Sequence, residues 1–461
     1  MTGTDARSAR ARLRAALLRP VDIASLVTFR ALFGALMLIS VLRFWARGWI
    51  AELYIEPAFH FTYWGFDWVR PWPGAGMYAH FAALAGLALC VALGLRYRVA
   101  MVGFFLAFTY VELLEKAAYL NHYYFISALS LLMIAPPAAG ALSLDARRDP
   151  TRRRAHAPAF MLWALRLQVA LVYVYAGVAK LNADWLGCAL PLSIWLKAHT
   201  AIPLVGPWLG ADALAYAMSL AGAAFDLTIP LLLLLLPGRL KLAAYACALG
   251  FHTITGLLFP IGMFPWIMSA CALLLLPPDW PRALPPLARA LPPPTPATPE
   301  SLTPARRVLI AALALHLAIQ LLLPWRHLLY PGDVAWNEEG GRFAWRVMLV
   351  EKVGSVTLRL RDPVSGRRWT VHPEDHLTPL QAKEMSVQPD MILAFARWVA
   401  ARHGAPVEVR ADALVTMNGR PAARLVDPAR DLARERDTLR PKPWILPAPR
   451  AAAPARCIMS F

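Results

Sequence analysis

Long apolar runs follow one another along most of this chain, and they constrain its fold more than any other feature. We count about nine of them, at roughly 24–45, 76–95, 98–115, 118–136, 159–180, 212–236, 240–258, 261–277 and 305–324. Each is close to the roughly 20 apolar residues that an α-helix needs to cross a bilayer. Only 16% of the residues are charged, whereas soluble proteins average about 25%. The sequence therefore predicts a polytopic α-helical membrane protein.

Basic residues are concentrated between the apolar runs. They form five groups: Arg7, Arg10, Arg12, Arg14 and Arg19; Arg96 and Arg98; Arg147, Arg148, Arg152, Arg153 and Arg154; Arg239 and Lys241; and Arg306 and Arg307. With nine spans, all five groups fall on one side of the membrane. Cytoplasmic loops carry the excess of Lys and Arg, so we expect a cytoplasmic N-terminus, an extracytoplasmic C-terminal region and an inner-membrane location. The net charge of +18 then reports orientation and lipid contact, and we expect no nucleic-acid partner.

The chain changes character after about residue 325. Alternating residues and turn signals predict a β-hairpin over 354–371, a helix over 389–403, and strands near 406–417 and 421–427 around an Asn418-Gly419 turn. We therefore expect two domains, a transmembrane domain over 1–324 and a small extracytoplasmic α+β domain over 325–461. The Pro-rich stretch at about 277–304 should be an extended or flexible cytoplasmic linker.

The five cysteines have no metal-ligand spacing. Cys90, Cys247 and Cys271 lie in apolar runs and are most simply buried hydrophobic residues. Cys188 and Cys457 could both face an oxidising compartment, where a disulfide between them is one option.

Lys180 ends one of the apolar runs, within the string Tyr175-Ala176-Gly177-Val178-Ala179-Lys180-Leu181-Asn182-Ala183-Asp184-Trp185. A low-dielectric position disfavours the charged form of an amine, so Lys180 is a candidate base that takes a proton from a weak acid. The simpler interpretation is a lysine that extends to the lipid headgroups and anchors a helix end.

Other polar residues also lie within the apolar runs. His122 and His252 are expected in the same half of the bilayer as Lys180, although a lone histidine is more often a hydrogen-bonded core residue than a catalyst. Asp226 needs a partner or water at its position. Arg30 and Arg166 are intramembrane cations. In a purely structural role, they would pair with Asp226 or with groups on other spans.

Several strings together resemble the vitamin K-dependent γ-carboxylase and its bacterial relatives, the horizontally transferred transmembrane group. In chain order they are Asp22-Ile23-Ala24-Ser25-Leu26, Phe29-Arg30-Ala31-Leu32-Phe33-Gly34, Gly94-Leu95-Arg96-Tyr97-Arg98, Asn121-His122-Tyr123, the lysine string, Phe251-His252, Ile261-Gly262-Met263-Phe264, Asp279-Trp280-Pro281-Arg282, Trp336-Asn337, Phe343-Ala344-Trp345-Arg346-Val347-Met348 and Val426-Asp427-Pro428. The lysine string and the Ile-Gly-Met-Phe string are the specific ones. The resemblance covers nearly the whole chain.

The resemblance implies a two-stage reaction. A lysine base deprotonates vitamin K hydroquinone, or a bacterial menaquinol, and O₂ adds to the anion to give the epoxide through a strongly basic intermediate. That intermediate removes a γ-proton from a peptide glutamate, and CO₂ captures the carbanion. Lys180 aligns with the base of the family, and a dry pocket would protect the strong base from water.

The same resemblance implies a set of pocket residues and partners. The quinol pocket is expected to involve Asn121, His122, Asp184, Trp185, His252, Met263 and Phe264. Quinol, O₂ and CO₂ are the implied small molecules, with no metal. Membrane lipid and a protein or peptide that contains glutamate are the implied partners.

Two departures from the animal enzyme leave three readings. An Asn-His pair precedes a Ser-x-Asp string there, whereas Ser143-Leu144-Asp145 here follows Ala138-Ala139-Gly140. The animal enzyme also has a further C-terminal region, which leaves recognition of a propeptide-bearing client open. The first reading is a γ-glutamyl carboxylase-like enzyme, and the second is a quinol epoxidase that carboxylates no protein. The third is a non-enzymatic membrane protein that reuses the fold.

Overall fold

The computed structural model describes residues 3–403, 405–449 and 457. The helices are α1 (Gly3–Leu18), α2 (Ala24–Ala46), α3 (Trp49–Tyr54), α4 (Ala75–Leu93), α5 (Tyr97–Leu114), α6 (Asn121–Met133), α7 (Leu144–Arg148), α8 (Ala159–Ala179), α9 (Ala183–Cys188), α10 (Leu192–Lys197), α11 (Gly206–Leu209), α12 (Asp212–Leu235), α13 (Gly238–Leu258), α14 (Phe264–Ala272), α15 (Pro285–Ala290), α16 (Pro304–Leu322), α17 (Val334–Asn337), α18 (Pro379–Ser386) and α19 (Pro389–Arg402). The strands are β1 (Pro20–Asp22), β2 (His156–Pro158), β3 (Lys352–Arg361), β4 (Arg368–Val371), β5 (Glu408–Met417) and β6 (Ala423–Arg424).

Among the described residues, seven helices are long and apolar enough to cross a membrane: α2, α4, α5, α8, α12, α13 and α16 with the 3₁₀ turn that continues it. Their apolar residues pack into one large core shared by the bundle. The predicted class, a polytopic helical membrane protein with a small C-terminal α+β region, is confirmed.

Two of the nine predicted spans are shorter than the sequence suggested. The run at 118–136 forms α6, of 13 residues, and the run at 261–277 forms α14 and a 3₁₀ turn that ends at Leu275. The second helix starts late because Pro260 and the left-handed Gly262 (φ 63°) separate it from α13. Of these two, the helical segment Phe264–Leu275 is as apolar as a span but shorter, so seven of the nine predicted spans are full-length helices in the described part of the chain.

The two ends of the bundle differ in what they contact. At the basic end, the carboxylate of Asp145 accepts from the backbone N–H groups of Arg96 (2.8 Å) and Tyr97 (3.0 Å), which joins two basic loops. At the domain end, Lys116 Nζ donates to Asp390 of the sheet domain at 2.7 Å. The basic end is thus the end that carries Asp145, and the domain end is the end that carries Lys116.

The sheet domain is built on a four-stranded antiparallel sheet with the order β4-β3-β5-β6. The predicted hairpin is confirmed as β3 and β4, and the predicted helix over 389–403 is α19. Alternate residues of β3 and β5, such as Leu358 and Val409, are buried under α18 and α19. Phe61, from the loop between α3 and α4, completes this core although it belongs to the membrane half of the chain.

The region predicted as an extended linker is only partly extended. A 3₁₀ turn over Trp280–Ala283 and the short helix α15 occupy its first half, and the chain has no regular secondary structure from about 292 to 303. The ordered half is held in place by Arg282, whose guanidinium pairs with Asp22, the last residue of β1 (2.6 Å).

The bundle and the sheet domain are joined by several independent contacts. Asp184 forms a bidentate ion pair with Arg420, at 2.8 and 2.5 Å, and accepts from Asn418 Nδ2 at 2.7 Å. The segment 343–348 runs back into the bundle, where Trp345 is only 1% exposed and packs on Tyr124. The structure also joins Cys188 to Cys457 in a disulfide, the pairing that the sequence left as one option.

Candidate active site around Lys180

Lys180 lies just after the last residue of α8 and is buried at the domain end of the bundle. Its Nζ donates to Asp226 Oδ2 of α12 at 2.7 Å and to the carbonyl oxygen of Ala176 at 3.2 Å. Both ionisable side chains are 9% exposed. A charge inside the membrane needs a partner of opposite charge, and Lys180 and Asp226 are each other's partner.

A glycine lets the two helices approach closely enough for this pair to form. A Cβ atom on Gly177 would lie 2.7 Å from Leu227 Cγ and 3.0 Å from the backbone nitrogen of Leu227. Any larger residue would therefore push α8 away from α12. The contact lies one turn before Lys180 on α8 and at Leu227, the neighbour of Asp226, on α12. The lysine string positions the ion pair as well as supplying the amine.

Trp185 forms a second side of the lysine's surroundings. The Lys180 Nζ lies 5.2 Å from the centroid of the Trp185 ring, within the range of a cation–π contact. The indole Nε1 donates to the carbonyl oxygen of Ser219 (2.8 Å), and Ser219 Oγ donates back to the carbonyl oxygen of Trp185 (2.6 Å). These reciprocal bonds fix the ring against α12.

A tyrosine–histidine pair lies on the other side of the same region. Tyr173, two helical turns before Lys180, has its hydroxyl 2.7 Å from His252 Nε2 of α13. His252 is 1% exposed, and its Nδ1 has no hydrogen-bond partner within the described part of the chain. A buried ring nitrogen without a partner is uncommon, because leaving it unpaired costs about 1–3 kcal/mol.

A mostly apolar cavity connects these groups. Lys180, Asp226, His252, Tyr173 and Trp185 line it together with Val172, Ala176, Leu192, Trp195, Met218, Gly222, Phe251, Thr255, Phe259, Ile261, Phe264, Met268, Val347 and Met348. The last two belong to the segment 343–348, so the sheet domain closes one side of the cavity. Apolar and aromatic walls with a few convergent polar groups are typical of a small-molecule site.

The predicted residues of the Ile-Gly-Met-Phe string divide between the cavity and the core. Phe264 lines the cavity and contacts His252 edge-on, with ring centroids 6.0 Å apart. Met263 is buried in the core of the bundle. His122 lies beside Phe264, at 5.8 Å between centroids, and is not among the cavity-lining residues.

Two further predicted residues lie at the boundary of the domains. Asn121 Nδ2 donates to the carbonyl oxygen of Arg346 (3.4 Å), and its Oδ1 accepts from the Tyr119 hydroxyl (3.1 Å), so Asn121 supports the segment 343–348. Asp184 is engaged by Arg420 and Asn418. Burial opposes ionisation of Asp184, but these hydrogen bonds and the charge of Arg420 outweigh it and lower the pKa of the carboxyl group.

The structure adds cavity residues that the sequence did not assign to the pocket. Tyr173, Trp195 and the pair Val347–Met348 all line the cavity. The spacing of seven residues between Tyr173 and Lys180 was the available signal, because it places both on one helical face. Within the described residues, no group of three or more His, Cys, Asp or Glu side chains is arranged to hold a metal ion.

Comparison with known families accounts for both halves of the molecule. A family model described as the HTTM domain matches residues 18–280, more than half of the chain. A second model, the lumenal domain of vitamin K-dependent gamma-carboxylase, matches residues 305–451. The chain belongs to the vitamin K-dependent γ-carboxylase family. No solved structure matches it. The resemblance stated from the sequence is thus confirmed, and the molecule is a carboxylase-like integral membrane protein of this γ-carboxylase family.

The departure at Ala139-Gly140 lies far from the cavity of this γ-carboxylase relative. Ser143 Oγ donates to the carbonyl oxygen of Ala139 (2.5 Å), and the adjoining Asp145 binds the basic loop at Arg96. These residues are at the basic end, whereas Lys180 is at the domain end. The substitution that motivated an epoxidase without carboxylation therefore does not touch the candidate site.

Proposed function

We propose that this protein is a quinol-dependent γ-glutamyl carboxylase of the membrane, in which Lys180 is the base. The observation that carries the proposal is the buried Lys180–Asp226 pair at the wall of an aromatic-lined cavity. A lysine side chain can act as a base only as the neutral amine. Separated charges are unfavourable in a dry site, so the adjacent carboxylate can share the proton of the ammonium group.

The apolar and aromatic lining of the cavity supports a hydroquinone ring as its ligand. Aromatic and aliphatic side chains would contact the ring, and Lys180 and His252 would hold its oxygens. The Nδ1 atom of His252, buried and unpaired within the described residues, is a hydrogen-bonding position that such a ligand would satisfy. A bound vitamin K-type hydroquinone would supply the electrons that reduce O₂ and so drive glutamate carboxylation by CO₂.

The Lys180–Asp226 pair would handle the first proton. At 2.7 Å, a proton on Nζ can move to Asp226 Oδ2, which leaves a neutral amine next to a carboxylic acid. The amine can then take a proton from the quinol hydroxyl at Nζ, while the first proton stays on Asp226. Trp185 would stabilise the resulting ammonium through its ring face. The apolar walls would keep water from competing for the proton.

The distribution of basic residues supports chemistry on the extracytoplasmic side. We propose that the basic end is cytoplasmic, because its arginines follow the positive-inside rule, and that the protein lies in the inner membrane. The sheet domain and the Cys188–Cys457 disulfide would then face the oxidising side, where disulfides persist. A glutamate-bearing client would reach the cavity from that side.

The test is product analysis with purified protein in nanodiscs. The reaction contains vitamin K hydroquinone, O₂, bicarbonate and a glutamate-containing peptide, and menaquinol replaces the vitamin in a parallel set. Chromatography measures the epoxide, and mass spectrometry measures CO₂ added to the peptide. Lys197→Ala is the matched control for Lys180→Ala, since Lys197 is an exposed lysine paired with Asp212 near the same end.

Each outcome supports one of the three functions considered for this chain. Epoxide and a carboxylated peptide from wild type and Lys197→Ala, with neither from folded Lys180→Ala, support the proposal. Epoxide without peptide carboxylation would replace it with the epoxidase reading. No turnover of either quinol by folded protein would favour the non-enzymatic reading.

A further inference from the structure

The solvent face of the sheet carries an unusual concentration of arginine. Strand alternation places Arg359 and Arg361 of β3, Arg368 of β4, Arg410 of β5 and Arg424 of β6 on this face, and all five are exposed. We call these five residues the arginine face. The two acidic residues on the same face of the four strands are Glu408 and Asp412.

The register brings like charges directly opposite one another. Arg361 pairs across the strands with Arg368, and Arg359 pairs with Arg410. Positive charges in such positions repel and destabilise a sheet. Lysine–glutamate or threonine pairs at these positions would give a solvated surface without this repulsion.

Neighbouring carboxylates neutralise only part of this charge. Asp412 is shared by Arg359 (2.6 Å) and Arg424 (3.6 Å). Glu408 is shared by Arg410 (3.5 Å) and Arg361 (3.9 Å). Five arginines against two carboxylates leave a surplus of positive charge around a surface depression that also contains Trp369 and Pro428.

The arginine face is remote from the lipid that surrounds the bundle. The end of β3 nearest the bundle is held by Glu351, whose carboxylate accepts from Trp195 Nε1 (2.5 Å). Arg359 and Arg361 lie eight and ten residues further along an extended chain, which is roughly 26–33 Å at about 3.3 Å per residue. The opposite face of the sheet is covered by α18 and α19. Headgroups of the protein's own membrane are therefore not the natural occupant.

We infer that the arginine face binds an acidic polypeptide segment. Guanidinium groups bind carboxylates in a bidentate geometry. Arg359 and Arg361 are two residues apart along β3, about 6.6 Å, which is also the spacing of alternate carboxylates along an extended acidic chain. That the segment belongs to the glutamate-bearing client rests on the proposed function. The face would then hold several glutamates of the client while one of them occupies the cavity near Lys180.

Binding of a labelled peptide to the full chain in zwitterionic nanodiscs tests this inference without any quinol. The probe is a fluorescent peptide of alternating glutamate and alanine, and its glutamine counterpart is the control peptide. The variants are Arg359→Gln with Arg410→Gln, and Arg361→Gln with Arg368→Gln. The control is Arg402→Gln with Arg434→Gln, which removes the same charge from exposed positions outside the arginine face.

The inference predicts that the glutamate peptide binds wild type and the control variant alike. Each arginine-face variant should bind it roughly 10-fold more weakly, binding should weaken as salt rises, and the glutamine peptide should not bind. The melting temperatures of the arginine-face variants should match or exceed that of wild type, because a repulsive pair is removed.

Three results would overturn the inference. One is equal binding by the arginine-face variants and wild type, and another is equal weakening in the control variant. The third is capture of anionic phosphatidylglycerol vesicles by the arginine face with no affinity for the peptide. Failure of the proposed function can be distinguished from failure of this inference. If the protein binds the peptide but does not turn over quinol, the arginine face still binds acidic segments, and only the identification of the segment with a carboxylation client is lost.

Discussion

The bundle buries three cations in apolar runs, and their surroundings differ at its two ends. At the basic end, Arg30 donates to four backbone carbonyls, those of Val91, Ala92, Ala138 and Leu142, and Arg166 donates to those of Leu274 and Leu276. At the domain end, Lys180 has one carbonyl, one carboxylate and a cavity beside it. The arginines are surrounded by acceptors, whereas Lys180 has an open side.

This difference is the one expected between a charge that holds the structure and a charge that takes part in chemistry. Arg30 and Arg166 join loops and helix ends that would otherwise leave carbonyls unpaired, and guanidinium does not release its proton in proteins. Lys180 pairs with a group that can itself hold a proton, and it faces space that a substrate can enter. A buried charge is therefore a candidate catalyst when its partner is titratable and a cavity reaches it.

The largest expected effect is the loss of stability in Arg30→Met. Four carbonyls from three segments lose their donor, so unfolding should become easier by about 3–5 kcal/mol. Thermal unfolding in nanodiscs measures it, with the exposed Arg148→Met as the control. If Arg30→Met remained stable yet lost quinol turnover, Arg30 would not be a structural charge, and the difference between the two ends would not hold.

The next effect concerns Asp226→Asn. The amide cannot hold the proton that leaves Lys180, so quinol turnover should fall about 100-fold, within the range seen when a proton-transfer partner is lost. The double variant Lys180→Met with Asp226→Leu should recover the stability of wild type, because it removes both charges, while remaining inactive. Steady-state turnover and melting temperature are measured together, and full activity in Asp226→Asn would remove this residue from the proton path.

A third prediction uses the ion pairs that dock the sheet domain. Burial opposes ionisation of Asp390, but Arg342 and Lys116 outweigh it and lower the pKa of its carboxyl group well below the usual 3.8. A lowered folded-state pKa gives stability that is present above pH 4 or so and is lost as the pH falls further. Melting temperature against pH should therefore fall more steeply below about pH 4 in wild type than in Asp390→Asn, and parallel curves would contradict the assignment.

The smallest expected effect is that of Tyr173→Phe. His252 loses the hydroxyl that fixes its ring, which is worth about 1 kcal/mol, so quinol turnover should fall roughly 5-fold with little change in stability. The matched control is Tyr216→Phe, whose hydroxyl donates to the carbonyl oxygen of Gly187 outside the cavity. Equal losses in the two variants would make the Tyr173–His252 bond structural.

The sequence predicted the passes of the bundle and the order of the sheet elements because both depend on local patterns. Apolar runs located the helices, and the alternation near residues 354–371 located the hairpin. The shortening of α6 and α14 relative to their apolar runs was not predicted. Just before α6, the ion pair between Lys116 and Asp390 ties the chain to the other domain. Hydropathy contains no information about that contact.

The candidate site was predicted less completely, for a similar reason. Lys180 is marked by its position at the end of an apolar run, and Asp226 is marked as an acid that needs a partner. Their pairing depends on the close approach at Gly177, which is a property of two packed helices. The segment 343–348 enters the bundle through left-handed conformations at Phe343, Trp345 and Met348, which side-chain identity does not favour.

The most direct test of the central claim is quinol turnover by Lys180→Arg. Arginine keeps the positive charge and the ion pair with Asp226, but it cannot act as a base because its guanidinium stays protonated. We expect Lys180→Arg to fold with a melting temperature close to that of wild type and to form no epoxide above background. Turnover by Lys180→Arg at a rate near that of wild type would contradict it, because Lys180 would then be a structural cation like Arg30.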